Sequence, residues 1–190
     1  MARTPAPDTR DRILGAAARL FYEHGVRAVG MNRIIQEAGT GKNLLYQHFP
    51  EKADLVAAYL AVARDVRDNA ARLALVDART PADTLVALVA EVAAKVAEPG
   101  FRGCAFRNYL AEFPDDADAA PTRVAQDYLG ASRAAIDAAA GEVDPSGELA
   151  ERVWLLVDGL YFQAAYRNRL DGDVARAGAA AVRLVEALVR

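Results

Sequence analysis

One cysteine, Cys104, one tryptophan and two histidines are all that 190 residues hold of these types. A lone cysteine excludes a disulfide-stapled scaffold and fits a reducing compartment, so a cytoplasmic location is expected. No run of about 18 uncharged apolar residues occurs, so neither a membrane span nor a membrane partner is expected. The opening Met1-Ala2-Arg3-Thr4-Pro5 lacks the apolar stretch of a secretory signal. His24 and His48 have no metal-ligand spacing and no cysteine pair beside them, so no metal is expected. A glycine-rich phosphate loop and a nucleophile elbow are both missing. No catalytic residue can be named, and an enzyme is the weakest of the readings.

What is present is apolar and helical. Hydrophobic residues make up 53% of the chain, which excludes intrinsic disorder. This length suits one domain, or one plus a small module, and can bury about 70% of its unfolded surface. The net charge of −3 argues against a nucleic-acid partner until it is resolved along the chain. Residues 1–52 carry eight Lys and Arg against five acids, a surplus of +3, and the remainder is −6. Such asymmetry hints at a polyanion-binding end on an acidic body, although solvated surface charge explains it as simply.

Ala, Leu, Arg and Glu dominate and alternating β-branched runs are absent, so the expected fold is all-α, with about nine helices. The first can start at an Asp8 cap and bury Ile13, Leu14, Ala17, Leu20 and Phe21 before Gly25 stops it. Short helices follow at about Met31–Ala38 and Lys42–His48, separated by Gly39-Thr40-Gly41 and ended by Pro50. A long helix is expected from Lys52 to about Asp77. A fifth starts at the Thr80-Pro81-Ala82-Asp83 cap and breaks at Pro99-Gly100. The sixth is placed at about Arg102–Phe113, stopped by Pro114-Asp115-Asp116. The seventh runs from about Pro121 to Ala140 and ends at Gly141. The eighth is capped by Ser146 or Asp144 and reaches about Arg169. The ninth follows the Asp171-Gly172-Asp173 turn to the C-terminus.

Two short helices joined by a glycine-containing turn form a helix-turn-helix pattern. The first must brace the second, and the second must enter a major groove about 12 Å wide with a polar outer face. Leu45 and Phe49 supply the inner face, and Lys42, Asn43, Gln47 and His48 the outer one. A plain three-helix subdomain satisfies the same periodicity.

The residues themselves go further. Thr9-Arg10-Asp11-Arg12-Ile13-Leu14-Gly15-Ala16-Ala17 through Leu20-Phe21 and His24-Gly25 resembles the first helix of the TetR family of transcriptional regulators. So do Ile34-Ile35-Gln36-Glu37-Ala38-Gly39, Lys42-Asn43-Leu44-Leu45-Tyr46-Gln47-His48-Phe49 and Glu51-Lys52, within a likeness covering about residues 9–60. The resemblance implies a helix-turn-helix DNA-binding domain over 1–52 and a ligand-binding and dimerisation domain over 53–190. It puts Lys42, Asn43, Leu44 and Gln47 on the recognition helix and assigns Tyr46, His48 and Lys52 to phosphates. Asn32 and Arg33 on the supporting helix would reach the backbone or an edge base. The sequence departs from the family where Gly30 and Gly41 stand at N-caps that usually carry Ser or Thr, and where Asn43 and Leu44 replace Gly and Thr or Ala. An amide beside an apolar side chain suits adenine and a thymine methyl.

For the body the resemblance implies a small-molecule effector, no other cofactor, and a homodimer through the last two helices. Two paired heads about 34–36 Å apart would read a palindromic double-stranded operator. The ninth helix sets Val174, Ala177, Gly178, Ala181, Val182, Val185, Leu188 and Val189 on one stripe. The eighth is apolar nearly all round from Val153 to Phe162, as a helix buried on two sides must be. Candidate effector contacts are Cys104, Phe106, Asn108, Tyr109 and Phe113, with Trp154, Asp158, Tyr161, Phe162, Gln163 and Tyr166. Aromatics at helical spacing equally fill a core. Asp158 can pair with an Arg or a backbone amide, and Cys104 can be an inert thiol or a redox-responsive one. The expected function is a ligand-responsive repressor; the alternatives are an all-helical adaptor for a protein partner and a helical enzyme.

Overall fold

The computed structural model describes residues 9–115, 119–167 and 173–190. Among the described residues every regular element is a helix: α1 Thr9–His24, α2 Met31–Ala38, α3 Lys42–His48, α4 Lys52–Ala74, α5 Pro81–Val96, α6 Ala105–Glu112, α7 Ala120–Val143, α8 Glu148–Arg167 and α9 Val174–Leu188. The all-α expectation holds. Asp8, Asp116, Arg169, Asp171 and Gly172, invoked above as a cap, stops and a turn, lie outside the described residues.

Local chemistry explains most boundaries. Gly25 leaves α1 with φ +83, and its N–H donates to Phe21 O at 2.9 Å. Gly39 closes α2 in the left-handed region, and Gly30 and Gly41 cap α2 and α3 without a side-chain hydrogen bond. Thr80 and Asp83 form a capping box at the start of α5, with Pro81 in its first turn. Asp144 and Ser146 share the entry to α8, accepting from Leu149 N and Glu148 N, and Asp173 caps α9.

Three boundaries differ from the sequence reading. α6 starts at Ala105, not Arg102, because Gly103 sits at φ +107, which no right-handed helix tolerates. α7 runs through Gly141 to Val143; a helical glycine costs only about 1 kcal/mol, and the stop comes at Asp144, before Pro145. α4 ends at Ala74, after which Val76 N donates to Leu73 O and the chain tightens out of the helix.

Packing divides the chain into two compact units. The first joins the residues up to Arg64 to Ala105–Asp127. In it α1, α2 and α3 pack on one another around Ile13, Ala17, Leu20, Phe21, Ile34, Leu45 and Phe49, all buried. The start of α4 adds Leu55, Val56, Tyr59 and Leu60, with the Phe21 and Tyr59 rings 5.8 Å apart.

The second unit joins Asp65–Cys104 to Tyr128–Arg190. Here α5 packs on both α8 and α9. A Cβ on Gly178 would lie 2.9 Å from that of Ala93, so the small residues of α9 permit close approach to α5 of the same chain. Of the stripe expected on α9, Val174, Gly178, Ala181 and Val185 are buried within the chain. Among the described residues no helix is long and apolar enough to cross a membrane.

Candidate nucleic-acid interface

α3 is seven residues with two faces. Leu45 and Phe49 are buried in the first unit, and Phe49 also receives the Arg10 guanidinium 5.3 Å from its ring centre. Lys42, Asn43, Leu44, Tyr46, Gln47 and His48 are all exposed. Leu44 and Tyr46 are large apolar groups in water, an unfavourable placement unless something covers them. Lys42 Nζ stands 5.9 Å from the Tyr46 ring centre, a cation–π approach that keeps both at the outer surface.

On α2, Asn32 is exposed, and Arg33 donates from Nη2 to His24 Nε2 at 2.8 Å. Arg19, on α1, pairs with Glu37, on α2, and ties the supporting helix to the first.

Lys52 differs from the α3 residues. Its Nζ donates to Val26 O at 2.6 Å and is half-buried at the start of α4. Burial pushes the ammonium below its ordinary value, with the Glu112 charge pulling the other way. The turn it holds is gripped from a distant part of the chain. Glu112 accepts Val26 N and Arg27 N, at 3.1 and 2.8 Å, and Arg27 lies 4.8 Å from the Phe113 ring centre. Gly25 is the residue that allows this, since a Cβ there would come within 2.9 Å of Glu112 Oε1. Nothing local in the sequence singles out Glu112; its partners are 85 and 86 residues away.

The candidate effector residues divide between the two units. In the first, Phe106 and Tyr109 are buried, Asn108 and Phe113 half-buried. Tyr109 stacks on Phe113 at 4.9 Å, and its hydroxyl meets Thr122 Oγ1 at 3.3 Å. In the second, Cys104 and Tyr161 are buried, and Trp154, Asp158 and Gln163 half-buried. Trp154 lies under Arg133, 5.8 Å from the guanidinium carbon. Phe162 and Tyr166 are exposed and meet edge-on at 6.0 Å.

The second unit also contains a polar cluster that sequence reasoning missed. Arg67 donates to both oxygens of Glu91 and from Nη2 to Tyr161 Oη at 3.0 Å. Only 13% of each charged side chain is exposed. Burial lowers the Arg67 value, but the Glu91 hydrogen bonds and charge outweigh it and leave the guanidinium above its ordinary value. Burial raises the Tyr161 hydroxyl, against the pull of Arg67. The available signal was positional: Arg67 lies seven residues after buried Leu60, on the same face of α4. Among the described residues no cluster of three His, Cys, Asp or Glu could hold a metal.

A compact three-helix head with a short, outward-facing third helix defines the class: a helix-turn-helix protein whose regular elements, among the described residues, are all helices. Residues 13–59 match the model for bacterial regulatory proteins of the tetR family. An HTH-type transcriptional regulator of Staphylococcus aureus (strain USA300) is 44% identical over 64 residues, covering 34% of each chain. The match therefore spans about a third of the length of that curated relative. Over nearly the whole chain the fold is similar to SCO4454, a TetR-family transcriptional regulator from Streptomyces coelicolor, with 28% identity, 95% of each chain covered and a TM-score of 0.84. It is also similar to FadR from Bacillus subtilis, solved in complex with stearoyl-CoA, at 13% identity, 95% of this chain, 99% of that one and a TM-score of 0.67. Residues 13–59 thus carry the DNA-binding helices of the tetR family of bacterial regulatory proteins, and the fold of the chain is similar to that of TetR-family regulators. That family is one of regulators, not of enzymes.

Proposed function

We propose that the chain is a DNA-binding transcriptional repressor that works as a homodimer on a palindromic operator and is released by a small-molecule effector. The observation that carries this is the two-faced α3: Leu45 and Phe49 hold it in the head, and every α3 side chain named for DNA is exposed. Asn43, Leu44 and Gln47 read base edges; Lys42, Tyr46 and His48 bind phosphates, with Lys52 joining them by exchanging Val26 O for a phosphate oxygen. Asn32 and Arg33 reach the flanking backbone. Residues 1–52 supply the head and residues 53–190 the effector and dimer functions.

Dimerisation through the last two helices is supported by what they leave uncovered. Leu155 and Phe162 are 68% and 78% exposed, with Tyr166 on the same helix and Leu184 on α9 also in water. Apolar groups of this size on neighbouring helices mark a protein interface. An apolar effector chain, of the kind FadR holds as stearoyl-CoA, is one occupant the family fold accommodates. The effector acts only if it prefers one of two separations of the paired heads, since equal affinity shifts nothing.

A pooled-oligonucleotide selection tests the reading, with the expected product a palindromic site. Contact with about six phosphates per dimer gives a log–log salt slope near −5. A flat salt response, or unchanged affinity in Tyr46→Phe combined with Lys52→Ala, overturns it.

A further inference from the structure

Glu112 is the last residue of α6, a position where the helix dipole disfavours a carboxylate. What it meets offsets this. Oε1 accepts Val26 N at 3.1 Å and Oε2 accepts Arg27 N at 2.8 Å. The second contact reaches beyond the turn, because Arg27 N–H and Val26 C=O are the two ends of one peptide group. Val26 O in turn accepts Lys52 Nζ at 2.6 Å. The peptide is trans, so its N–H and C=O point in opposite directions. A carboxylate and an ammonium are thus joined through a single peptide plane, each polarising the bond that the other uses. Burial lowers the Lys52 ammonium, and the Glu112 charge opposes that.

The end of α6 has a second tie to the same turn. The Arg27 guanidinium lies 4.8 Å from the Phe113 ring centre, and Phe113 stacks on Tyr109 at 4.9 Å. Tyr109 is buried, its hydroxyl meeting Thr122 Oγ1 at 3.3 Å. Aromatic packing therefore keeps α6 on the turn without help from the carboxylate. When Lys52 turns to a phosphate, Val26 O loses its cation and the polarised chain from Glu112 is broken. A stronger chain makes that exchange more costly.

We propose that Glu112 is a positioning residue that restrains Lys52 through the 26–27 peptide and so sets the cost of its capture of a phosphate. Lys52 acts here as the phosphate ligand proposed above, a reading on which the restraint rests, and its control lies outside residues 1–52.

Glu112→Gln keeps the size of the side chain and removes its charge. Fluorescence anisotropy on the selected operator, in wild-type and Lys52→Ala backgrounds, reads the coupling, with circular dichroism confirming that each variant is folded. Glu112→Gln should tighten binding about threefold to tenfold where Lys52 is present and hardly at all where it is absent. A turn merely loosened by the substitution would weaken binding instead. Amine acylation read by mass spectrometry examines the free protein, with Lys42 and Lys95, the other two lysines, as references. Lys52 should acylate faster in Glu112→Gln, and the references should keep their wild-type rates. A second variant leaves Glu112 in place. Lys52→Met strips Val26 O of its cation and should move the Arg27 amide proton upfield, since a less polarised N–H bonds Glu112 more weakly. Weaker binding in Glu112→Gln, equal tightening in both backgrounds, an unchanged Lys52 acylation rate, or an Arg27 resonance that does not move upfield each overturns the proposal. If Lys52→Ala changes nothing with or without Glu112→Gln, the phosphate role of Lys52 falls and the restraint with it. If it weakens binding by the same factor in both, that role stands and only the restraint falls.

Discussion

The recognition face of α3 and the Arg67 cluster treat their polar side chains in opposite ways. The head spreads Lys42, Gln47 and His48 over the outer face of a seven-residue helix. The second unit folds Arg67 inward and saturates it with Glu91 and Tyr161. Exposed polar groups contribute little to stability and are available to a partner; a buried pair contributes to stability only while both members remain. Stability should therefore respond to one set of substitutions and recognition to the other.

The largest separation is expected at Glu91. Glu91→Ala leaves a buried guanidinium uncompensated and should destabilise the protein by about 3 kcal/mol. A urea titration measures this, and operator affinity of the remaining folded protein should be unchanged. Arg67→Met with Glu91→Leu should recover most of the loss, because an apolar pair of similar volume removes the charge altogether. If Glu91→Ala unfolds at the wild-type midpoint, the pair is not structural.

The converse test lies in the head. Gln47→Ala and Asn43→Ala should each weaken operator binding by about tenfold to a hundredfold, most at one base position. Both side chains are exposed, so the thermal midpoint should not move. Fluorescence anisotropy against single-base variants of the selected site separates base reading from general weakening. Loss of affinity equal for all sequences would reassign these residues to phosphates.

The same contrast governed what could be read from the sequence. The bounds of α2 and α3 are set by neighbours in the chain, Gly30, Gly39, Gly41 and Pro50, so local chemistry was sufficient. The family resemblance through Tyr46-Gln47-His48-Phe49 lies in the same stretch. Further on, the same letter served different purposes. Gly103 is left-handed and delays α6, Gly141 continues α7, and Gly178 admits Ala93. A glycine's φ and its neighbours come from packing, and periodicity does not contain them. Arg67 with Glu91 and Glu112 with Val26 are pairings across 24 and 86 residues, invisible to any local pattern. The stripe on α9 was legible from its spacing, but not that Gly178 packs against Ala93 of α5.

A smaller effect tests whether helix starts in the second unit obey the same local rules. Thr80→Ala removes the hydroxyl that accepts Asp83 N at 3.1 Å and breaks the capping box. It should cost about 1 kcal/mol in chemical denaturation. Gly41→Ser, at the start of α3, should gain only a few tenths, because glycine is already a tolerable cap there. Equal and opposite effects would mean that the short helix depends on its cap and not on Leu45 and Phe49.

Acid should separate the units most gently. Three carboxylates of the second unit are held below their ordinary values. Asp83 is held by the Thr80 hydroxyl and the amides of Arg79 and Thr80, Asp144 by Ser146 and the amide of Leu149, and Glu151 by the hydrogen bonds and charge of Arg133. A carboxylate that binds its proton more weakly folded than unfolded stabilises the fold while it is ionised. That contribution is complete above the ordinary carboxylate range, about pH 4 to 4.5. It falls away as the pH drops through each lowered value. All three groups lie at the surface, so each effect is small and salt-screened. Hydrogen exchange from pH 6 down to about pH 3 should therefore show the starts of α5 and α8 opening before α3. Protection lost first in α3 would place the acid-sensitive contacts in the head instead.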